Sequence, residues 1–453
     1  MTPAPTAAAV STENRPTDGV SAFQTDDRPR WEDYSRCVHC GLCLNVCPTF
    51  RLLGEEMDSP RGRIYQIAQA DAGRLELERL RTHLDRCLDC RACETACPSG
   101  VQYGRILEGA RAELAAAGRL AAGKLLRDRL AGRLRRHLFE RVLPSRGRMR
   151  LYASLLDVGQ RMGLPGLAER IGLLRALGLE NAARLAPRLA RPFFHREIGQ
   201  TFPAQGERRA RVVLLAGCMQ NVFFANMNRA ALRVLQWNGC EVEIPAGQTC
   251  CGALHMHAGE RETARRLARK NLEAFDAGGF DAIVTASAGC GSTLKEYGEL
   301  LAQDARAAAF AGKVRDITEF LAALGLRNDR LRALPASVTY QDACHLAHGQ
   351  RIRSAPRELL RAVPGLKLIE MPHADQCCGS AGTYNLEQPE IAGRLLREKM
   401  QWARSTGADW IVTANPGCQL QIQAGVRASG QPQPVLHVIE LLAIAYGFAP
   451  VPD

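Results

Sequence analysis

Aromatic residues make up only 6% of this 453-residue chain, and no stretch reaches the ~18 uninterrupted apolar residues that a membrane-spanning helix needs. The nearest, residues 435–451, carries His437 and Glu440 and is expected to be a packed C-terminal helix. Residues 1–30 lack the apolar core of a secretory signal and read as a flexible, Pro/Ala/Thr-rich leader. Together these absences predict a cytoplasmic protein, with peripheral attachment to the inner face of the cell membrane as the alternative. No G-x-G-x-x-G or phosphate loop follows a strand, so no nucleotide or flavin site is expected. The formal net charge is +12, and 13 basic residues face 4 acidic ones between Gly104 and Arg150. Nothing beside that charge resembles a nucleic-acid reading element, so nucleic acid is not an expected partner. A solvated helix face is the plainer reading of the run, and a docking face for an acidic partner or anionic lipid is the other.

Against these absences stand 17 cysteines. Without a signal segment they imply thiolate chemistry rather than disulfides. Two runs share the pattern C-x2-C-x2-C-x3-C-P. The first holds Cys37, Cys40, Cys43 and Cys47 before Pro48, and the second Cys87, Cys90, Cys93 and Cys97 before Pro98. In the ferredoxin type, three closely spaced thiolates hold one [4Fe–4S] cluster and the fourth ligates the other. Cluster one is therefore expected to take Cys37, Cys40, Cys43 and Cys97, and cluster two Cys87, Cys90, Cys93 and Cys47. Two runs of identical spacing argue against zinc. His39 lies inside the first run but is surplus to a complete cysteine set. Between the runs, Ser59 as N-cap, Pro60 and Gly73 bound a helix, and a second helix is expected over "RLELERLRTHLDRC". Arg61 and Arg63 follow that cap, either offsetting cluster charge or simply solvated.

The remaining cysteines reveal a duplication. Cys218, Cys250, Cys251 and Cys290 recur 126 to 128 positions later as Cys344, Cys377, Cys378 and Cys418, with Gly252 and Gly379 after each Cys-Cys pair. "RVVLLAGC" and "SVTYQDAC" read as strands entering a Cys loop, and "AIVTASAGC" and "WIVTANPGC" as strands ending in the last Cys. Alternation with helical segments implies a parallel sheet in each copy, with four sulfurs converging at the strand ends. Three readings stay open: a metal or further cluster in at least one repeat, a redox-active thiol pair, or thiols kept for packing. Cys240 has no counterpart and reads as a core hydrophobe. His255, His257, His345, His348 and His373 lie near these loops. Each reads as an ordinary satisfied polar residue, with His345 the strongest functional candidate.

The expected fold is multidomain: an α-helical, ferredoxin-like two-cluster domain followed by a duplicated α/β cysteine-rich domain. The boundaries are a leader 1–30, a two-cluster domain 31–115, an Arg-rich helical connector 116–207, and repeats 208–333 and 334–453. Through "CVHCGLCLNVCPTFRLLGEEMDSPRGRIYQI", "HLDRCLDCRACETACPSGVQYG", "CCGALHMHAG", "TASAGCGSTLKEYG", "YQDACHLAHGQ" and "CCGSAGTYN" the chain resembles the iron–sulfur subunit of glycolate oxidase. The superfamily also includes heterodisulfide reductase subunits, the anaerobic glycerol-3-phosphate dehydrogenase small subunit and lactate-utilisation proteins. The resemblance implies a subunit without catalytic residues. Partner flavoproteins would oxidise glycolate to glyoxylate, and this chain would carry the electrons toward a quinone-type or membrane acceptor. Lactate or glycerol-3-phosphate are the alternative substrates, and a thiol–disulfide enzyme the alternative class. Heterodisulfide reductase-like members end each repeat with C-x-x-C. Here "GCGS" and "GCQL" supply one cysteine each, which weakens disulfide chemistry and leaves a third cluster open.

Overall fold

The computed structural model describes residues 20–120, 134, 136–177, 179–187, 189, 191–275, 278–430 and 432–452. The chain divides into two compact units, residues 1–122 and 123–453. Residues 1–19 of the expected leader, and most of the Arg-rich run between Ala121 and Arg135, lie outside the described residues.

Unit one is helical. Ser59 caps helix Pro60–Asp71 by accepting from Gly62 N at 2.9 Å, Pro60 occupies its first position, and Gly73 beyond its end has φ 72. Ile64 and Ile67 of that helix, Leu80 and Leu84 of helix Leu77–Asp85, and Ile106, Leu107 and Leu114 of helix Tyr103–Leu120 form one core. Apolar side chains three, four and seven apart put each helix's stripe inward. The leader expectation fails for residues 20–30. Phe23 joins this core, Ser21 Oγ donates to Asp71 at 2.8 Å, and the Gln24 and Thr25 amides bond the Glu113 carboxylate at 2.8 and 2.9 Å. The buried ring and these polar contacts, together with Ala22 N donating to the Ala70 carbonyl at 3.0 Å, hold these residues in place.

Unit two contains two sheets of matching topology. The first comprises β1 (Gln200–Phe202), β2 (Ala210–Leu214), β3 (Cys240–Ile244), β4 (Ala282–Thr285) and β5 (Val314–Asp316), in the order β1-β3-β2-β4-β5. The second comprises β6 (Ser337–Gln341), β7 (Lys367–Glu370), β8 (Trp410–Thr413) and β9 (Val435–His437), in the order β7-β6-β8-β9. All pairings are parallel except β1 with β3, an antiparallel edge addition contributed by the end of the expected connector. The strand order reverses at β2 in the first sheet and at β6 in the second, so the carboxyl ends of β2 and β4, and of β6 and β8, flank a topological switch point. Cys240 opens β3 fully buried among aliphatic residues, and burial pushes its thiol up to about 12.

The two repeats share one core, and their packing is reciprocal. Helix Val438–Ala445 of the second lies on helix Ala225–Trp237 of the first, and helix Ile317–Leu324 of the first on helix Ser354–Arg361 of the second. Residues 435–451 are not one helix. Val435–His437 pairs with β8 as β9, and the helix begins only at Val438. His437 sets that boundary: its Nδ1 accepts from Ile439 N at 3.1 Å while Glu440 accepts from His437 N at 2.8 Å. Asp316 and Glu319 make the equivalent box after β5.

Burial drives His437 down from 6.5 to about 4, partly opposed by the Ala414 and Ala286 carbonyls, while burial raises Asp316 to about 6 despite the Thr318 hydrogen bonds. A histidine depressed on folding contributes stability above its unfolded pKa of 6.5 and loses it as pH falls toward 4. Asp316, raised on folding, contributes most at low pH and loses it as pH rises through about 6. His437→Asn, which keeps a capping side chain, removes the first of these opposed terms. In urea unfolding under reducing conditions the parent chain is expected to lose about 2 kcal/mol more than the variant on going from about pH 7 to about pH 5.

Candidate functional site

The two cysteine runs repeat one backbone device. The residues before and after the middle cysteine have positive φ in both: His39 (52) and Gly41 (85) in the first, Asp89 (51) and Arg91 (61) in the second. Three of those four carry a side chain, an uncommon conformation for non-glycine residues. It curls each C-x2-C-x2-C around its own sulfurs. The Asp89 N–H points at Cys87 Sγ at 3.5 Å, and the His39 N–H stands in the same relation to Cys37. Pro48 then starts helix Pro48–Leu53.

Each fourth cysteine sits beside the other run. Burial pushes the Cys37 thiol up, the His39 N–H opposes this, and Cys97 and Cys40 add to it as nearby like charges. Burial likewise raises Cys93, reinforced by Cys90, Glu94, Cys87 and Cys47, and lifts Cys43 to about 11. Cys47, Cys87, Cys90 and Cys93 line one small pocket with Arg63, Thr49 and Tyr103. None of the 17 cysteines is bridged. Crowded, buried thiols of this kind keep their protons unless a metal replaces them, so the donor chemistry fits two iron–sulfur clusters.

Arg63 is not a solvated residue. It is 1% exposed, donates to the His83 carbonyl at 2.7 Å and to Thr49 Oγ1 at 3.2 Å, and pairs with Asp58 at 3.3 Å. Burial works against its charge, but Cys87, Tyr103, Cys47 and Asp58 more than offset that and hold its pKa above the ordinary arginine value. Asp58, fully buried, also meets His83 at 3.0 Å and Arg86 at 2.7 Å. Arg61 is more exposed; it pairs with Glu56 at 2.8 Å and donates to the His39 carbonyl at 3.1 Å. Sequence reasoning missed Asp58, Thr49, His83, Arg86 and Tyr103, because none carries a spacing signal.

In the repeats, the cysteines lie less on loops than expected. Cys218 is the first residue of helix Cys218–Phe223, Cys290 the third of Ala288–Lys295 and Cys418 the third of Pro416–Ser429. The strands β4 and β8 end several residues earlier, after Thr285 and Thr413, because Ser287 and Asn415 already start the helices. Each repeat nevertheless gathers its four sulfurs at the switch point. Cys218 Sγ and Cys250 Sγ are 3.3 Å apart, and the Cys251 thiol is within hydrogen-bonding reach of Cys250 and Cys290. The Cys344 thiol stands in the same relation to Cys377, Cys377 to Cys378, and Cys378 to Cys418. Gly252 and Gly379 both have φ 88, which only glycine adopts without strain, and each aims its N–H at the first sulfur of its pair, at 3.5 and 3.4 Å.

The two sulfur groups have different surroundings. Equivalent positions on the helices behind them hold Asn271, which donates to the Cys250 carbonyl at 3.1 Å, and Lys399, fully buried and donating to the His373 and Ala374 carbonyls at 2.9 and 3.1 Å. Burial lowers the Lys399 pKa, opposed by Cys378, Cys377 and Cys418. His255, also fully buried, stands beside Cys250 with Nε2 on the Phe139 carbonyl at 2.8 Å. His345 Nδ1 is 3.6 Å from Cys344 Sγ, and its ring meets that of His257 at 5.0 Å. His348 contacts the Asp375 carbonyl at 3.2 Å, and His373 packs on Trp402. Those two are ordinary satisfied residues.

Replacing Arg63 with Gln leaves Asp58 short of a buried cation and Thr49 short of a donor. The expected loss is roughly 3 kcal/mol in denaturant unfolding of the full chain. Arg63→Lys is expected to recover only part of it, since one ammonium cannot reach His83, Thr49 and Asp58 together.

Three family models match the chain: "4Fe-4S dicluster domain" over residues 33–101, "Glycolate oxidase iron-sulfur subunit, linker region" over 131–187, and "Cysteine-rich domain" twice, over 212–295 and 338–423. Among curated proteins, a probable glycolate oxidase iron-sulfur subunit of Bacillus subtilis is 38% identical over 91% of this chain and 94% of its own length. The glycolate oxidase iron-sulfur subunit of Escherichia coli is 34% identical over 90% and 92%. Lactate utilization protein A of a Geobacillus strain is 31% identical over 51% of this chain and 98% of its own. With the likeness running through the dicluster unit, the linker and both cysteine-rich repeats, the chain belongs to the glycolate oxidase iron–sulfur subunit family.

Proposed function

We infer that the chain is the electron-transfer subunit of a glycolate oxidase complex, receiving electrons from partner flavoproteins that convert glycolate to glyoxylate. The observation that carries this reading is the crossed placement of the two runs, with Cys97 beside Cys37 and Cys47 beside Cys93. Cys37, Cys40, Cys43 and Cys97 would hold one [4Fe–4S] cluster, and Cys87, Cys90, Cys93 and Cys47 the other. Such clusters, when bound, take up single electrons, which divides the two-electron oxidation of a hydroxy acid on flavin into steps suited to a quinone-type acceptor. The chain's own residues set the conditions. Arg63 places positive charge beside Cys47 and Cys87, the curled runs aim N–H groups at sulfur, and the packed helices exclude water. No residue acts as acid or base on the substrate, and the flavin belongs to the partners. The complex is placed in the cytoplasm, peripheral to the membrane that holds the acceptor.

Cys218, Cys250, Cys251 and Cys290, and Cys344, Cys377, Cys378 and Cys418, are candidate ligands of a third cluster or metal. A buried anionic group needs a nearby cation, and each set has a candidate: His255, whose pKa is raised beside Cys250 despite its burial, in the first, and Lys399 in the second. The name of the Geobacillus relative keeps lactate as the alternative substrate.

The test is anaerobic purification with and without the partner flavoproteins, followed by iron, sulfide and EPR measurement before and after adding glycolate. About eight irons, reduced by glycolate only when the partners are present, is the expected result, and about twelve would add a cluster in the repeats. Reduction by lactate but not glycolate would overturn the substrate. Cys47→Ser is expected to remove the EPR signal of the cluster held by Cys87, Cys90 and Cys93. Loss of only the other signal would refute the crossed ligand sets.

A further inference from the structure

The linker segment between the two cysteine-bearing regions leaves a large aliphatic surface uncovered. In helix Arg146–Arg161, Met149 and Ala153 pack into the core with Phe139, Leu143 and Phe193. The opposite stripe, at spacings of four, three and four residues, is Leu151, Leu155, Val158 and Met162, exposed 57, 61, 50 and 68%. A surface helix is expected to be apolar on one face only, and this one is apolar on two. The stripe continues into helix Leu164–Arg170 and beyond through Leu167 and Ile171, exposed 56 and 66%. Scattered exposed leucines are ordinary, whereas a contiguous aliphatic patch marks an interaction surface.

Charge and composition say what covers it. From Arg146 to Arg184 there are seven arginines against three acidic residues, with no tryptophan or phenylalanine. One of the three, Asp157, is buried and paired with Arg191 at 2.6 Å. Arg150, Arg161, Arg170 and Arg175 are all exposed along the same segment. Protein interfaces concentrate aromatic anchors at their centre; here the exposed apolar residues are aliphatic, with Tyr152 alone at the edge. Aliphatic side chains flanked by arginines suit an interfacial helix lying in the headgroup region of an anionic bilayer. Gly163 and Gly172, both at φ 72, break the segment into short helices. No helix among the described residues is long and apolar enough to cross a membrane.

We propose that the ribbon Arg146–Leu177 is a membrane-docking element that inserts Leu151, Leu155, Val158 and Met162 among anionic lipids. It rests on the electron-transfer reading only for its purpose, which is to hold the chain beside an acceptor dissolved in the bilayer. The test is co-sedimentation of the full chain with vesicles of phosphatidylglycerol in phosphatidylcholine, and with vesicles of phosphatidylcholine alone. Binding to the anionic vesicles only, weakened by salt, is expected. Leu155→Asp with Val158→Asp is expected to weaken it about tenfold or more, and Arg170→Gln with Arg175→Gln several-fold, both with unchanged iron content. A parent chain left in the supernatant overturns the proposal. So does vesicle binding that survives the paired Asp substitutions while co-purification with the flavoproteins is lost, which would assign the surface to a protein partner. Iron content and glycolate-driven reduction are read separately, so failure here is distinct from failure of the electron-transfer reading.

Discussion

Sulfur placed beside sulfur, out of water, is the constraint on which the rest of this molecule depends. A buried thiol gives up its proton reluctantly, and each neighbouring thiolate adds to the cost. In unit one the compensation is local and of several kinds. Positive-φ turns bring amides to Cys37 and Cys87, and Arg63 stands under Cys47 and Cys87. That cation is in turn fixed by Asp58, Thr49 and the His83 carbonyl. Removing water strengthens each of these electrostatic contacts and makes each unmatched group more expensive. The helix cap at Ser59 therefore serves more than the helix, since it presents Arg63 inward four residues later.

The duplicated unit meets the same constraint differently in its two copies. The backbone solution is shared: a glycine at φ 88 after each Cys-Cys pair and a switch point that gathers four sulfurs. The side-chain solution is not. One copy has His255 beside Cys250 and Asn271 behind it; the other has His345 beside Cys344 and a fully buried lysine.

How much of this could be read from the chain alone follows from what leaves a pattern. The paired runs, the 126- to 128-residue repeat and the Ser59–Pro60 cap are spacings, and spacings are visible. The strands β2, β4, β6 and β8 followed from short apolar runs ending in Ala-Gly-Cys, Asp-Ala-Cys or Pro-Gly-Cys. What stayed hidden were contacts made across the sequence: Asp58 with His83 and Arg86, Glu113 with the amides of Gln24 and Thr25, and β1 with β3. The strand at Val435 was obscured because an apolar run of eight or more residues has the same composition whether it is helix throughout or strand and then helix. Only the His437–Glu440 box divides it. Arg63 showed the reverse difficulty, since an arginine three residues into a helix looks solvated until the fold buries it.

The reciprocal packing of the repeats bears on how the chain is made. Helix Val438–Ala445 of the second copy rests on helix Ala225–Trp237 of the first, so the first copy leaves the ribosome with one apolar face uncovered until that later helix closes it. The two sheets then form a single cooperative block whose defining contacts join residues roughly two hundred positions apart, such as Tyr446 Oη with Asn238 at 3.1 Å. Such long closures slow folding. A nascent chain with nine unpaired thiols in that half is exposed to oxidation for as long as the closure takes.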